Sequence, residues 1–484
     1  MIKNVILACA IVLVAVVNVL AQGDYPIQPV LFTSVELTDD FWAPKIKTNH
    51  AVTIPIAMYR NESSGRVKNF AIAGGLAEGK FQTQMVFDDS DIYKMIEAAS
   101  YSLQTNPDKK LAAKLDSLIA LIAAAQEPDG YIYTNRTIAN RNKTKPHAWA
   151  GDQRWINEHD DSHELYVMGH LYEAAVAHYQ ATGKRNFLDI AIKSADLVDK
   201  DFGWDAIASV PGHQVIEMGL VRLYNVTHEK RYLDLAKFFL DARGTKSNEY
   251  LKKKNADREH PLGNWPLEYY QRHKDVVDQR EAVGHAVRAT YMYSGMADIA
   301  VLYNNDQYIK AIKSIWEDVV FKKMYITGGI GVGGHSEGFA GPYHLPNMSA
   351  YCETCASVGN IFWNYRMFLY DGDSKYLDVL ERSLYNALLS GVSISGDRFF
   401  YPNVLESFGQ HQRGEWFGTA CCPPNVARLL PSFPGYMYAT KDASVYVNFY
   451  ADNTASVELK KTKVELVQKT KYPWEGSINL TVNP

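Results

Sequence analysis

A repeated helical hairpin is the sequence feature that most restricts the fold of this chain. From about residue 89 to residue 391, apolar residues recur at the helical period and short connectors separate the segments. The stretch 179–189 resembles the stretch 224–234, and both end in an aromatic residue followed by Leu-Asp. The same ending recurs within residues 371–378. A connector that recurs in this way indicates stacked helical hairpins.

Such hairpins can form an open solenoid or close into an (α/α) barrel. The long irregular inserts carry glycine, histidine and tryptophan, which favours a barrel with a cleft at one end. We therefore predict a mainly α fold, with an (α/α)-barrel domain over residues 22–430.

The hydrophobic pattern of the sequence changes from helical to alternating after about Pro431. Short alternating runs separated by turn residues indicate β-strands, and the last run reaches Pro484 without a closing element. This predicts a β region over residues 431–484 whose sheet is incomplete. A β segment at about residues 28–38 is a candidate to pair with it.

Residues 1–21 predict a signal peptide. Lys3 precedes an apolar run from residue 5 to residue 20, and small residues follow at the expected cleavage site. A transmembrane anchor is the alternative, but the run is short for a spanning helix. We expect export to the periplasm or secretion from a bacterial cell, with no membrane contact after cleavage.

Composition narrows the choice of partner. The net charge is −4, so there is no broad basic field, and nucleic acid is not an expected partner. The chain has 31 tyrosines and 9 tryptophans, the ring types that stack on sugars in carbohydrate clefts, although they also serve ordinary cores. The oligomeric state stays open.

Four cysteines outside the signal peptide fall in two tight groups. They are Cys352 and Cys355, then Cys421 and Cys422. Disulfides are the usual expectation for an exported chain, but adjacent cysteines bond each other only with strain. Both groups precede predicted helices, whose N-termini favour thiolates. Three thiolates with the carboxylate of Glu353 would suit tetrahedral zinc, although the spacing alone leaves disulfides open.

Other polar residues fall at predicted loops and helix starts. Glu337 follows a glycine-rich loop that lacks the Lys-Ser/Thr pair of a phosphate cradle, so it is either a surface carboxylate or a functional one. His163, His213 and His285 stand at the ends of successive hairpins, where a closed barrel would bring them into one cleft. A lone histidine is more often a structural residue.

Five motifs together resemble glycoside hydrolase family 127 and its close relative family 146. They are Glu-Thr-Cys-Ala-Ser-Val-Gly from Glu353, Cys-Cys-Pro from Cys421, Thr-Gly-Gly-Ile-Gly ahead of Glu337, Phe-Tyr-Pro-Asn from Phe400, and Gly-His at His285. The similarity runs from about residue 87 to residue 474. Cys352 is a further thiol outside this pattern.

The resemblance implies a retaining β-L-arabinofuranosidase with an (α/α)6 barrel followed by β-sandwich domains. It implies a zinc cofactor bound by Glu353, Cys355, Cys421 and Cys422. It also implies Cys421 as the nucleophile and Glu337 as the general acid/base. Residues that would line the sugar pocket are His163, His213, His285 and Tyr401.

The resulting functional prediction is an exo-acting hydrolase that releases β-linked L-arabinofuranose from plant-type glycans. Three alternatives remain at this point. One is a related enzyme that cleaves another sugar, such as aceric acid from pectin side chains. The others are an (α/α)-barrel epimerase, which would leave the thiols idle, and a non-catalytic glycan-binding protein with a structural zinc.

Overall fold

The computed structural model describes residues 25–334, 337–460 and 462–484. The predicted signal peptide lies outside these residues. The sixteen α-helices within these described residues are α1 Trp42–Thr48, α2 Ile54–Ser63, α3 Arg66–Ala73, α4 Asp89–Thr105, α5 Lys109–Ala125, α6 Thr134–Asn142, α7 Glu164–Thr182, α8 Asn186–Asp201, α9 Ile216–Thr227, α10 Lys230–Ala242, α11 Thr245–Lys254, α12 Ala286–Leu302, α13 Asp306–Asp318, α14 Thr354–Asp371, α15 Ser374–Arg382 and α16 Cys422–Leu429.

Nine strands accompany these helices in the described residues. They are β1 Gln28–Pro29, β2 Val35–Leu37, β3 Gly284–His285, β4 Gly338–Phe339, β5 Tyr438–Lys441, β6 Ser444–Val447, β7 Asn453–Leu459, β8 Thr462–Thr470 and β9 Ile478–Asn483. Short 3-10 and π-helical turns connect several of the elements.

Six helices form a closed inner ring. In order around the ring they are α4, α7, α9, α12, α14 and α16, and α16 packs back against α4. The helices α5, α8, α10, α13 and α15 pack outside the ring, each against the inner helix that precedes it, and α2 packs outside α4 and α16. The predicted (α/α)6 barrel is confirmed.

The inner helices are buried around most of their circumference, by the neighbouring inner helices and by the outer helices. Residues 164–178 of α7 and 286–300 of α12 are buried throughout. Neighbouring inner helices also approach closely where glycines face each other. A Cβ atom on Gly219 would lie 2.6 Å from the carbonyl oxygen of Gly169, so α9 could not pack on α7 at this distance with a larger residue.

The helical region begins earlier than the sequence predicted, at α1 instead of about residue 89. α1 and α2 are short and are joined by a π-helical turn at Asn49–Thr53. Their apolar residues do not repeat over enough turns to give a clear periodicity. They form against the barrel and the C-terminal region, where Trp42 stacks on Phe433 at 4.1 Å.

Two small antiparallel sheets form the β region. One has the strand order β1-β5-β6 and the other β2-β7-β8-β9. The segment near residues 28–38 therefore does pair with the C-terminal strands, with Val35 opposite Ala455 in the second sheet. The exact domain boundaries stay a prediction. Across the described residues, no helix is both long and apolar enough to cross a membrane.

A buried ion pair joins three inner helices. The Nη1 atom of Arg428, on α16, lies 2.9 Å from Glu97 on α4 and 2.6 Å from Glu173 on α7. All three side chains are almost completely buried. Arg428 therefore compensates two carboxylates where the ring closes, and Arg222 lies 3.8 Å from Glu97 as a more distant cation.

We predict that Arg428→Met destabilises the protein by about 3–5 kcal/mol, because it removes the cation that directly contacts two buried carboxylates. Lys184→Met is the matched control, since Lys184 pairs with Asp116 at the surface and such pairs contribute less than about 1 kcal/mol. Urea denaturation followed by circular dichroism measures both. Equal stability of the two variants would contradict the role given to Arg428.

Candidate active site

The inner helices of the barrel all begin at one end, because each outer helix returns the chain to that end. The residues immediately before α7, α12, α14 and α16 are His163, His285, Glu353 and Cys421. Helix N-termini carry a partial positive charge and free N–H groups. This end of the barrel therefore favours anionic side chains and polar ligands.

Glu353, Cys355, Cys421 and Cys422 meet at this end. One ligand atom of each lies within 4.8 Å of the others. The sulfur atoms of Cys355 and Cys422 are 3.3 Å apart, and those of Cys421 and Cys422 are 3.8 Å apart. All of these cysteines are free thiols. The Cys421 sulfur also lies 3.5 Å from Oε1 of Glu353.

This donor set could hold a metal ion. Sulfur atoms bound tetrahedrally at about 2.3 Å from zinc lie about 3.8 Å from one another, close to the separations observed. Oε2 of Glu353 is buried and accepts no hydrogen bond from the described residues. Burial raises the pKa of Glu353, Cys355 and Cys422 well above their usual values. A cation would compensate both the missing partner and the cost of ionising these groups.

Cys421 differs from its neighbours in its electrostatic surroundings. Hydrogen bonds from Cys355 and Cys422 lower the pKa of the Cys421 thiol well below its usual value, against the opposing effect of burial. Cys421 is also only partly buried, whereas Cys355 and Cys422 are fully enclosed. Of the three sulfurs, Cys421 is thus the one that is both ionised most easily and accessible.

Glu337 lies beside the cluster and accepts two short hydrogen bonds. His285 Nε2 lies 2.6 Å from Oε2 of Glu337, and the hydroxyl of Tyr351 donates to Oε1 at 2.7 Å. Burial opposes ionisation, but the hydrogen bonds from His285 and Tyr351 outweigh it and lower the pKa of Glu337 to about 2. Nδ1 of His285 accepts from the backbone N–H of Val287. His285 is therefore neutral and donates through Nε2.

The three predicted histidines form a continuous row. The rings of His163 and His213 are 5.5 Å apart, and those of His213 and His285 are also 5.5 Å apart. Burial lowers the pKa of each. Neutral imidazoles can both donate and accept hydrogen bonds, which suits recognition of sugar hydroxyl groups. Phe87 stacks on His163 at 4.6 Å and supports the end of the row.

Tyr401 lies in the segment between α15 and α16. Its ring is 6.2 Å from Tyr351 and 5.7 Å from Phe417. Burial raises the pKa of Tyr401 well above its usual value, so it stays a phenol. The structure thus brings all of the predicted site residues to one end of the barrel, while the role of each stays a prediction.

Several site residues have a left-handed backbone, which is uncommon outside glycine. The φ angles are 57° at His163, 63° at Glu337 and 42° at Cys352. Such conformations persist where surrounding packing enforces them, and they concentrate at functional sites.

A buried ionic network lies behind the site, and the sequence did not predict it. Nζ of Lys94 lies 3.1 Å from Asp91 and 3.2 Å from the hydroxyl of Tyr166. Arg66 binds the same Asp91 at 3.0 Å and donates to the carbonyl oxygen of Gly418 at 2.7 Å. Arg66 therefore holds the loop that leads into Cys421. The sequence feature that could have indicated this network is the group of three aspartates at residues 88–91, at the start of α4.

Cys352 is not among the clustered ligands. It is buried, its nearest hydrogen-bonding atom is the carbonyl oxygen of Gly331 at 3.9 Å, and burial raises its pKa to about 12. A Cβ atom on Gly329 would lie 2.8 Å from the Cys352 sulfur. Cys352 thus packs under the glycine-rich loop that presents Glu337.

The fold and the site together define an (α/α)6 barrel with a cluster of thiols and carboxylates at one end. The family profile described as "Beta-L-arabinofuranosidase, GH127 catalytic domain" matches residues 34–435, and the one for the GH127 middle domain matches residues 444–484. The chain belongs to glycoside hydrolase family 127.

Three relatives illustrate the similarity. A curated non-reducing end beta-L-arabinofuranosidase of Bifidobacterium longum subsp. longum is 38% identical over 442 residues, which cover 87% of this chain and 66% of the relative. A solved GH127 beta-arabinofuranosidase is 53% identical with a TM-score of 0.88, covering 95% of this chain and 70% of its own. A solved GH127 beta-L-arabinofuranosidase from Geobacillus stearothermophilus T6 is 39% identical with a TM-score of 0.86, covering 93% and 72%. The chain thus spans just under two thirds of the curated relative's length.

We predict that the protein binds about one metal ion per chain at the cluster. At about 1,000 times its Kd, such an ion adds about 4 kcal/mol to the free energy of unfolding. Cys355→Ala should lose the ion and this increment, because it removes a ligand. Cys352→Ala, a matched thiol outside the cluster, should keep both. Elemental analysis and denaturation with and without a chelator test this, and loss of metal from Cys352→Ala alone would contradict the ligand set.

Proposed function

We propose that the protein is a retaining exo-glycoside hydrolase that releases β-linked L-arabinofuranose from plant-type glycans. The observation that carries this proposal is the placement of an accessible thiol and a carboxylate around Glu353. Cys421 lies 3.5 Å from Glu353, and a carboxylate oxygen of Glu337 lies within 4.8 Å of one of Glu353. Retaining glycosidases use a nucleophile and an acid/base that flank the scissile bond, and Cys421 and Glu337 both lie next to Glu353. Two of the relatives described above are beta-L-arabinofuranosidases, which agrees with this sugar.

The metal in this proposal is zinc. Zinc binds cysteine sulfur and carboxylate oxygen together, and a Cys3Glu set suits its tetrahedral preference. When bound, it would supply positive charge that keeps the sulfur of Cys421 deprotonated and protected from oxidation. Glu353, Cys355 and Cys422 would be its permanent ligands, and Cys421 its fourth.

In the first step, the Cys421 sulfur attacks the anomeric carbon of the bound sugar. A carbon–sulfur bond forms, the glycosidic carbon–oxygen bond breaks, and Glu337 gives its proton to the leaving oxygen. In the second step, Glu337 removes a proton from water while the water oxygen attacks the same carbon. The carbon–sulfur bond breaks, the thiolate returns, and two inversions give net retention.

The proton for the first step comes from solvent when the sugar binds. In the free protein, the hydrogen bonds from His285 and Tyr351 favour the ionised carboxylate of Glu337. A bound sugar removes water from this carboxylate, and desolvation favours its uncharged form, so Glu337 takes up a proton while His285 stays neutral. Protonated Glu337 next to a neutral His285 is the state that a general acid requires.

The remaining residues bind the sugar. His163, His213 and Tyr401 present neutral hydrogen-bonding groups around the cleft. They would hold the hydroxyl groups of one terminal furanose ring in place above Cys421. We also propose that the enzyme acts after export from the cytoplasm, where a bound metal protects the clustered thiols from forming disulfides.

Arg288 favours a second candidate substrate. Its guanidinium group is buried over the ring of Tyr269 at 4.5 Å, and its Nε has no hydrogen-bond partner among the described residues. A buried cation with an unused donor suits a carboxylate. A terminal acidic sugar such as aceric acid would supply one, so it belongs in the substrate screen beside L-arabinofuranose.

We predict that Cys421→Ser stays folded but loses more than about 10³-fold in kcat on a chromogenic β-L-arabinofuranoside, because a serine hydroxyl is not ionised at neutral pH. Glu337→Gln should lose about 10²–10⁴-fold on a natural disaccharide, because it removes the acid/base. Cys352→Ala should retain activity as the control. Hydrolysis by Cys421→Ser at the wild-type rate would favour chemistry in which the thiols are idle.

A further inference from the structure

Trp265 is an exposed indole beside the candidate active site. It lies on the loop between α11 and α12, and 46% of its surface is exposed. One face is covered by Tyr269, with the ring centroids 5.0 Å apart and the planes 30° apart. Exposing a large aromatic face costs free energy in water. An exposed aromatic face next to a sugar cleft is therefore a candidate binding surface.

Trp265 is connected to the catalytic residues through Tyr269. The ring of Tyr269 is 5.6 Å from that of His285, which donates to Glu337 at 2.6 Å. The guanidinium of Arg288 also packs on Tyr269, at 4.5 Å. An aromatic wall thus runs from the acid/base Glu337 outward to the exposed Trp265.

The loop that carries Trp265 is held in place by polar contacts. The backbone N–H of Asn264 donates to Asp160 at 3.1 Å and its side chain donates to the same carboxylate at 2.7 Å. The hydroxyl of Tyr270 also donates to Asp160. Asp160 belongs to the loop that precedes His163. The indole is therefore fixed before any ligand binds, which reduces the entropy lost on binding.

We propose that Trp265 forms the binding platform for the leaving-group sugar, the residue that follows the released furanose. This rests on the proposed function, because it extends the same cleft by one subsite. The general acid must lie next to the leaving oxygen, so the leaving sugar lies on the Glu337 side of the cleft. Tyr269 and Trp265 form the wall on that side. Aromatic rings stack on the apolar faces of sugars, so the ligand class is a neutral furanose or pyranose.

Calorimetric titration in a Glu337→Gln background tests the platform without turnover. The probes are a β-L-arabinofuranosyl disaccharide and methyl β-L-arabinofuranoside, which lacks the leaving sugar. Trp265→Ala should weaken disaccharide binding about 10-fold, equal to about 1.4 kcal/mol, and change methyl glycoside binding less than about 2-fold. Trp265→Phe keeps a ring and should recover most of the disaccharide affinity.

Trp474→Ala is the matched control. Trp474 is 74% exposed and contacts Phe41 in the C-terminal region instead of the aromatic wall. It should leave both affinities unchanged. An equal loss for both probes in Trp265→Ala, or no loss for the disaccharide, overturns the platform.

Hydrolysis of the disaccharide by the protein without substitutions is measured in parallel. If it is not hydrolysed although Trp265→Ala weakens its binding selectively, the proposed function fails and the platform stands. If it is hydrolysed and Trp265→Ala binds it as tightly as before, the platform fails and the proposed function stands.

Discussion

The arrangement of this site depends on one constraint, namely that all inner helices of the ring start at the same end of the barrel. The chain alternates between inner and outer helices, so every inner helix runs in the same direction. Residues that are far apart in sequence, from His163 to Cys421, occupy equivalent positions before successive helices. The positive ends of the helix dipoles point at the same region, which stabilises thiolates and carboxylates there.

That constraint also makes compensation of buried charge necessary. Carboxylates and thiols at the mouth lose water, and each ionised group needs a partner. Lys94 and Arg66 meet this need through Asp91, and Arg66 additionally fixes the carbonyl of Gly418 ahead of Cys421. Deeper in the ring, Arg428 does the same for two glutamates. Positioning of the nucleophile and stability of the barrel thus rely on the same kind of buried ionic contact.

The sequence allowed prediction of the parts that depend on local pattern. Helical periodicity with a repeated connector predicted the barrel, and the resemblance to family 127 implied that Cys355 meets Cys421 and Cys422. The sequence did not allow prediction of the features that tertiary contacts determine. α1 and α2 are too short to show a period, and Tyr351 and Trp265 are single aromatic residues in irregular loops. Only the closed barrel places Tyr351 against Glu337 and Trp265 beside Tyr269.

The most direct test of the central claim is covalent labelling of the nucleophile. An electrophilic epoxide with the shape of β-L-arabinofuranose is incubated with the metal-loaded protein, which is then digested and mapped by mass spectrometry. The account predicts one label per chain on the sulfur of Cys421, with no labelling when Cys421 is replaced by serine. A label on Glu337, Glu353 or another carboxylate would contradict the thiolate mechanism.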